Sequence, residues 1–191
     1  MNKFLSLSMF ALLFLSFTTA FAQQRMDEED SSMYLSNKPI TIVAAEQNYA
    51  GSAYENEEFV NGYVFKDGKI LASNVALRYN AKRDEVEVKP TISSPDANAR
   101  VMVKNSDIYI KILNKAFVYS PKQEGIEKAG YFIVLHEGDH YALYKKISKK
   151  FYEGKESVNS ITRDTPPSYR NVETYFLVDK ENGNFTLFPK S

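Results

Sequence analysis

From Phe59 onward apolar and polar residues alternate with a period of two rather than 3.6, which predicts strands. Tyr63-Val64-Phe65 runs into Lys66-Asp67-Gly68-Lys69, and Asp-Gly supplies the positive φ angles of a tight hairpin turn. The return strand carries Val75, Leu77 and Tyr79 on one face and Asn74, Ala76 and Arg78 on the other. After a turn at Asn80 to Arg83, Val86 and Val88 alternate with Glu85, Glu87 and Lys89, the pattern of a strand with one wet face. Val101 and Val103, then Ile108, Ile110 and Ile112, then Phe117-Val118-Tyr119, continue the series. Tyr131 to Leu135 and Tyr141 to Ile147 flank Gly138-Asp139 as a further hairpin, and Tyr175 to Val178 with Phe185 to Phe188 flank Glu181-Asn182-Gly183 as a last one. Ile40 to Val43 is a short strand candidate, Gln47 to Glu58 reads as irregular or briefly helical, and Ser148 to Arg170 is polar. The expectation is a mainly β chain, an antiparallel meander of about ten strands forming a curled sheet, an open barrel or a sandwich.

The N-terminus breaks this pattern. Met1-Asn2-Lys3 is positively charged, Phe4 to Phe17 is almost wholly apolar, and Ala20-Phe21-Ala22 places small residues where signal peptidase requires them. Residues 1–22 therefore read as a signal peptide cut before Gln23, which predicts a periplasmic or secreted protein. The apolar run is shorter than the roughly 20 residues that span a bilayer, and the mature chain has no second run of this kind, so no integral membrane segment is expected there. Residues 23–38, with Asp27-Glu28-Glu29-Asp30, read as a flexible polar leader, and residues 39–191 as a single β domain.

Composition narrows the chemistry. There is no cysteine, which excludes disulfides, thiol catalysis, Cys-ligated zinc and a lipidated cysteine. Lys and Arg total 24 against 24 Asp and Glu, so no broad basic footprint for nucleic acid exists, and none is expected as a partner. Tyr and Phe number 13 each and favour pleated surfaces.

One motif carries candidate chemistry. His136-Glu137-Gly138-Asp139-His140 has the form H-E-x-x-H, which on a helix sets two imidazoles one turn apart to hold zinc, with the Glu activating a bound water. The local sequence opposes a helix. Tyr131 to Leu135 favours strand, Gly138 costs about 1 kcal/mol in a helix interior, and Asp139 favours a turn. With Gly138-Asp139 as a two-residue turn, Glu137 pairs with His140 and His136 with Tyr141, on opposite faces. A three-residue loop would place the histidines opposite each other on one face, still an incomplete site without a third ligand such as Glu153 or Glu156. Lys145-Lys146 and Lys149-Lys150 lie near Tyr144, Phe151 and Tyr152, a combination that can bind polyanions but also marks a soluble strand end. Glu85 and Glu87 share a face and read as exposed charge; Arg78 beside Tyr79 reads as an ordered surface or inter-strand contact. No Gly-x-Ser-x-Gly elbow or glycine-rich phosphate loop occurs. No catalytic, cofactor-binding or metal residue is assigned on these grounds, and no cofactor is expected.

Gly51-Ser52-Ala53-Tyr54, then Phe59, Gly62, Asp67-Gly68, Leu77-Arg78-Tyr79-Asn80 and Asp84-Glu85-Val86-Glu87 resemble a group of uncharacterised exported β-rich proteins of Bacteroidetes-type Gram-negative bacteria. The likeness extends to Tyr131 to Leu135, Gly138 and Leu143-Tyr144-Lys145-Lys146. Ala53 stands where that group's pattern has proline. The resemblance implies an exported β-rich protein and a hairpin at His136 to His140. It implies no activity and transfers no catalytic residue. Independently of it, Gly51 and Gly62 are expected where the backbone needs positive φ or close approach, and Asn80 is expected to hold its turn through side chain to backbone bonds.

The leading functional expectation is a non-enzymatic exported protein that binds an envelope component or a protein partner. The alternatives are a carrier of an apolar ligand in a half-barrel cavity and a secreted zinc metallopeptidase acting through His136, Glu137 and His140.

Overall fold

The computed structural model describes residues 31–41, 49–157 and 163–189. The chain divides into a unit of residues Met1–Tyr34 and a unit of residues Leu35–Ser191, and the second holds the sheet. Its strands are β1 (Leu35–Pro39), β2 (Val60–Lys66), β3 (Lys69–Asn80), β4 (Glu85–Lys89), β5 (Arg100–Met102), β6 (Ile108–Ile112), β7 (Lys115–Ser120), β8 (Gly130–Glu137), β9 (Tyr141–Tyr152), β10 (Ser168–Asp179) and β11 (Phe185–Phe188). Among the described residues these eleven strands form one antiparallel sheet in the order β1-β5-β4-β3-β2-β6-β7-β8-β9-β10-β11. The protein is mainly β, and the curled sheet expected from the sequence is the form it takes.

The hairpins follow from local chemistry. Asp67 and Gly68 have φ of 51° and 73° and close Lys66 against Lys69, the primed turn that Asp-Gly favours. Asn80 holds the β3–β4 turn by accepting the Arg83 N–H at 3.0 Å, and Asp84 ends it with φ of 57°. The last hairpin pairs Tyr175 with Phe188 through Val178 with Phe185, as its alternation predicts.

The curl is a tertiary matter. β5 and β6 are four inter-strand spacings apart in the sheet, about 19 Å laterally if it were flat. Only residues 103–107 connect them, and these contain a turn in which Asn105 accepts the Asp107 and Ile108 N–H groups. A flat sheet would need that short link almost fully extended. Instead the sheet bends so that the ring of Tyr79 on β3 lies 5.0 Å from Phe117 on β7 and 6.2 Å from Tyr131 on β8. Tyr131 Oη also donates to Val103 O at 3.2 Å. The inner face so formed is packed by Val64, Leu77, Val86, Ile110, Phe117 and Ile147, each at most 1% exposed.

A second core lies on the other face of β8–β11. Phe132, Phe176, Val178 and Phe185 pack there with Ile126 from the loop between β7 and β8. A third, smaller group joins Phe59, Ala76 and Ala99 on the outer face of β3.

Two local expectations are corrected, and one polar stretch is resolved into strand. Lys38 and its neighbours, read as leader, belong to β1. The strand expected at Ile40 to Val43 does not form at Ile40 and Thr41, while Ile42 and Val43 lie outside the described residues. β9 continues to Tyr152 and β10 begins at Ser168, so the polar Ser148 to Arg170 stretch is strand at both ends, held by cross-strand pairing rather than by apolar alternation. Residues 1–22, the proposed signal peptide, also lie outside the described residues.

Where β8 begins, the β3–β4 turn presses against it. A Cβ added at Gly130 would collide with the Asp84 carboxylate and the Lys146 ammonium, whereas one at Gly68 meets nothing within 4 Å. Gly130→Ala is therefore expected to cost about 2–3 kcal/mol by overpacking, and Gly68→Ala about 1 kcal/mol through its positive φ. Urea midpoints of the two variants check this; equal shifts would show that the Asp84 seam yields freely.

Candidate functional site

Three groups of chemistry-bearing side chains need placing: the two histidines, the charged residues around β3, β4 and β9, and the exposed aromatic and aliphatic residues of the last strands.

His136 lies on β8 opposite Leu143, and Glu137 lies opposite Ala142. The Gly138 N–H donates to Tyr141 O at 2.9 Å, so Asp139 and His140 form the turn. This corrects the expected Gly138-Asp139 turn. Gly138 does not take positive φ, and a bulge between Val134 and His136 absorbs the shift in register. His140 Nδ1 sits 3.8 Å from the Glu181 carboxylate, both side chains largely in solvent. The motif is thus on a hairpin and lacks the helical repeat that brings its two imidazoles to one metal. Among the described residues no group of three or more His, Asp or Glu side chains is placed to hold a metal ion.

The charged residues are gathered in two clusters. In the first, the Asp84 carboxylate accepts from Tyr79 Oη at 2.6 Å and from the Tyr131 N–H at 3.2 Å, and pairs with Lys146 Nζ at 2.7 Å. Lys146 also donates to Tyr131 O at 2.9 Å. Lys146, read from sequence as part of a soluble strand end, is instead mostly covered; the turn at residues 81–84 falls on β9 only once the sheet curls. Burial, then the Asp84 charge and hydrogen bond, push the Tyr79 phenol far above its ordinary range. Burial and the same carboxylate raise Tyr131. Burial lowers Lys146, and Asp84 opposes that shift.

The second cluster lies on the outer face of β3 and β4. Glu85, Glu87 and Lys89 are buried at 8%, 1% and 6% exposure, which corrects the reading of a wet face. Segments flanking the strands cover it. Tyr54 and Phe59 sandwich the Arg78 guanidinium at 4.1 and 4.2 Å from their ring centres. Arg78 reaches Glu87 across the strands at 2.7 Å and donates to Glu57 O, the inter-strand contact expected of it. Glu87 also accepts from Tyr54 Oη and Asn80 Nδ2. Lys89 pairs with Asp96 at 2.8 Å and lies over Phe59, and Glu85 pairs with Lys38 of β1. Burial, followed by the Glu87 charge, raises the Tyr54 phenol. Among the described residues no buried side-chain nitrogen or oxygen lacks a partner. Both clusters are saturated by the protein itself, which is the chemistry of a fold seam.

The third group is exposed. Cross-strand pairing puts Leu143 opposite Leu177 and Tyr175 opposite Phe188, on the same side of β9–β11 as Tyr141. Tyr141, Leu177 and Phe188 are 53%, 36% and 50% exposed, and Leu187 on edge strand β11 is 62% exposed. By alternation Tyr141, Leu143, Leu177 and Phe188 continue the inner face along the ribbon from Ile147, whose carbonyl meets Tyr79 Oη of β3, while Leu187, paired with Phe176, lies on the opposite face. The sequence marked these residues as apolar strand positions but gave no sign that their face outruns its cover. A recess of about 170 Å³ lies beside the second core, lined by Val118, Tyr119, Tyr144, Val178 and Phe185 among others.

Comparison with protein-family models, with curated proteins and with solved structures gives no match for this chain. The class it falls in is therefore defined by its own geometry: a curled antiparallel β-sheet protein with buried ion-pair seams and an exposed apolar edge.

The buried phenols set an alkaline limit. Above pH 10.0, the ordinary phenol value, the unfolded chain releases the Tyr79 and Tyr131 protons while the folded chain keeps them. The folded state then binds more protons and stability falls as pH rises. Lys146, lowered in the fold, acts with opposite sign up to its ordinary 10.5 and not beyond, leaving the phenols' loss unopposed. The melting temperature is expected to drop above pH 10.5, with phenolate absorbance of the buried rings appearing only on unfolding. Full ionisation of all 13 tyrosines in the folded state would contradict this.

Proposed function

We propose that this chain is an exported, non-enzymatic β protein that binds a protein partner of the cell envelope through the apolar end of its sheet. The observation that carries this reading is the strip of Tyr141, Leu143, Leu177 and Phe188, the last on edge strand β11. Apolar side chains exposed together mark contact surfaces, and an edge strand offers backbone groups for strand addition. The filled inner face supports this reading over carriage of an apolar ligand there. The recess beside the second core is smaller than the roughly 300–1,000 Å³ of ordinary ligand sites. The hairpin setting of His136 and His140 likewise supports it over a zinc peptidase.

Export is tested by the mass of the protein recovered from a Gram-negative host. It is expected in the periplasm or medium, beginning at Gln23, and recovery of an uncut chain in the cytoplasm would overturn this part. The contact surface is tested by placing a photo-crosslinker at Phe188 and, as a control, at exposed Lys69 on the β2–β3 hairpin. A single envelope protein is expected to crosslink from Phe188 alone, and Leu177→Glu in the same chain is expected to reduce its yield about tenfold, equivalent to about 1.4 kcal/mol. The same products from Phe188 and Lys69, or a yield unaffected by Leu177→Glu, would overturn the reading.

A further inference from the structure

The opposite end of the β9–β10 ribbon carries a different chemistry. Arg170 pairs directly with Lys150 across the strands, and Tyr152 lies two residues along the same face from Lys150. The Arg170 guanidinium is 4.8 Å and the Lys150 ammonium 5.3 Å from the centre of the Tyr152 ring, which is 38% exposed. Like charges placed directly opposite destabilise a sheet. Six strand cations have carboxylate partners: Lys38 with Glu85, Arg78 with Glu87, Lys89 with Asp96, Lys115 with Glu55, Lys145 with Glu173 and Lys146 with Asp84. Lys66 and Lys69 also face each other without one among the described residues, but they flank a hairpin turn and no ring joins them. Lys150 and Arg170 have no such partner among the described residues, and a single ring is their shared contact. Val172, 41% exposed, extends this face as an apolar neighbour.

We propose that Lys150, Arg170 and Tyr152 form a binding site for an acidic polysaccharide. A sugar carboxylate lies between the two cations, where the guanidinium offers paired donors and the anion relieves the repulsion that the fold leaves standing. The pyranose C–H face rests on the exposed part of Tyr152, the negative ring face attracting the sugar's polarised hydrogens, and a neighbouring sugar of the polymer reaches Val172. An anionic bilayer is the weaker fit. Each cation contributes about 1 kcal/mol at a membrane surface, and recognition there relies on clusters of four or more, where this face offers two. The site lies seven residues along β10 from Leu177, about 23 Å, so it stands or falls separately from the apolar strip.

The test uses the processed chain and four probes: polygalacturonate, dextran, poly-glutamate and phosphatidylglycerol vesicles. Polygalacturonate is expected to bind and dextran not to bind, with affinity falling as salt rises. Lys150→Gln with Arg170→Gln is expected to weaken polygalacturonate binding about tenfold or more, and Tyr152→Leu about threefold. The melting temperature of the double variant is expected to be equal or higher, since it removes a repulsion, so lost binding cannot be assigned to unfolding. No polygalacturonate binding at low salt, binding unchanged in the double variant, or stronger binding to poly-glutamate or vesicles would overturn the proposal.

Discussion

The fold depends on one carboxylate at a place where the sheet must touch itself. Asp84 ends the β3–β4 turn in a left-handed conformation and aims its side chain at Tyr79 Oη, the Tyr131 N–H and the Lys146 ammonium. These belong to β3, β8 and β9, and β3 and β8 are four positions apart in strand order. Backbone pairing alone leaves the curvature of an antiparallel sheet undetermined. Apolar packing of Tyr79, Phe117 and Tyr131 favours curling, but such packing is non-directional. Asp84 adds direction, because its acceptors are satisfied only when the turn lies over the start of β8. Gly130 is the space that this contact requires.

The outer seam follows the same physics with a different energetic balance. Glu87 is almost wholly buried, and an unpaired carboxylate there would cost several kcal/mol. Arg78 meets it on the neighbouring strand, and Tyr54 and Asn80 complete its hydrogen bonds. Arg78 is itself held between Tyr54 and Phe59, so the segment before β2 is fixed by stacking on the guanidinium as much as by its own backbone. The seam contributes less net stability than an apolar patch of equal size would, because two charges leave water. It specifies position more sharply: a slip of one residue between β3 and β4 would set Arg78 away from Glu87 and leave both desolvated.

What could be read from the sequence was local. The Asp67-Gly68 turn, the Val75-Leu77-Tyr79 face, the Asn80 turn bond and the final hairpin each rest on residues within a few positions of one another. The strand order does not. No feature of Met102 to Ile108 announces that β6 returns to β2, and without that return neither the curl nor the covering of Lys146 can be inferred. Glu85, Glu87 and Lys89 were misread for the same reason. Alternation of charge with valine distinguishes two faces, but not a face turned to water from one covered by aromatic residues some thirty positions earlier. The turn at His136 to His140 was legible as a hairpin, while its register depended on a bulge at Leu135 that no local residue signals.

The exposed surfaces lie at the two ends of the β9–β10 ribbon. β9 and β10 are each 12 residues long, whereas their sheet neighbours β8 and β11 have 8 and 4. Past Lys145 and Tyr175 the ribbon pairs with no other strand among the described residues and so projects at its Tyr152 end, whereas at the Tyr141 end Ala142 pairs with Glu137 of β8 and Val178 with Phe185 of β11. At the Tyr152 end the projecting inner face is partly closed by Tyr49 and Lys82, which stack on Phe151 and Tyr169, while the outer face keeps its cations in solvent. At the Tyr141 end there is no equivalent covering segment among the described residues, and the apolar inner face runs out past β3 and β4. An isolated exposed leucine needs no explanation in a folded protein. Leucine paired with leucine and tyrosine paired with phenylalanine, on adjacent strands beside a sheet edge, form a continuous surface.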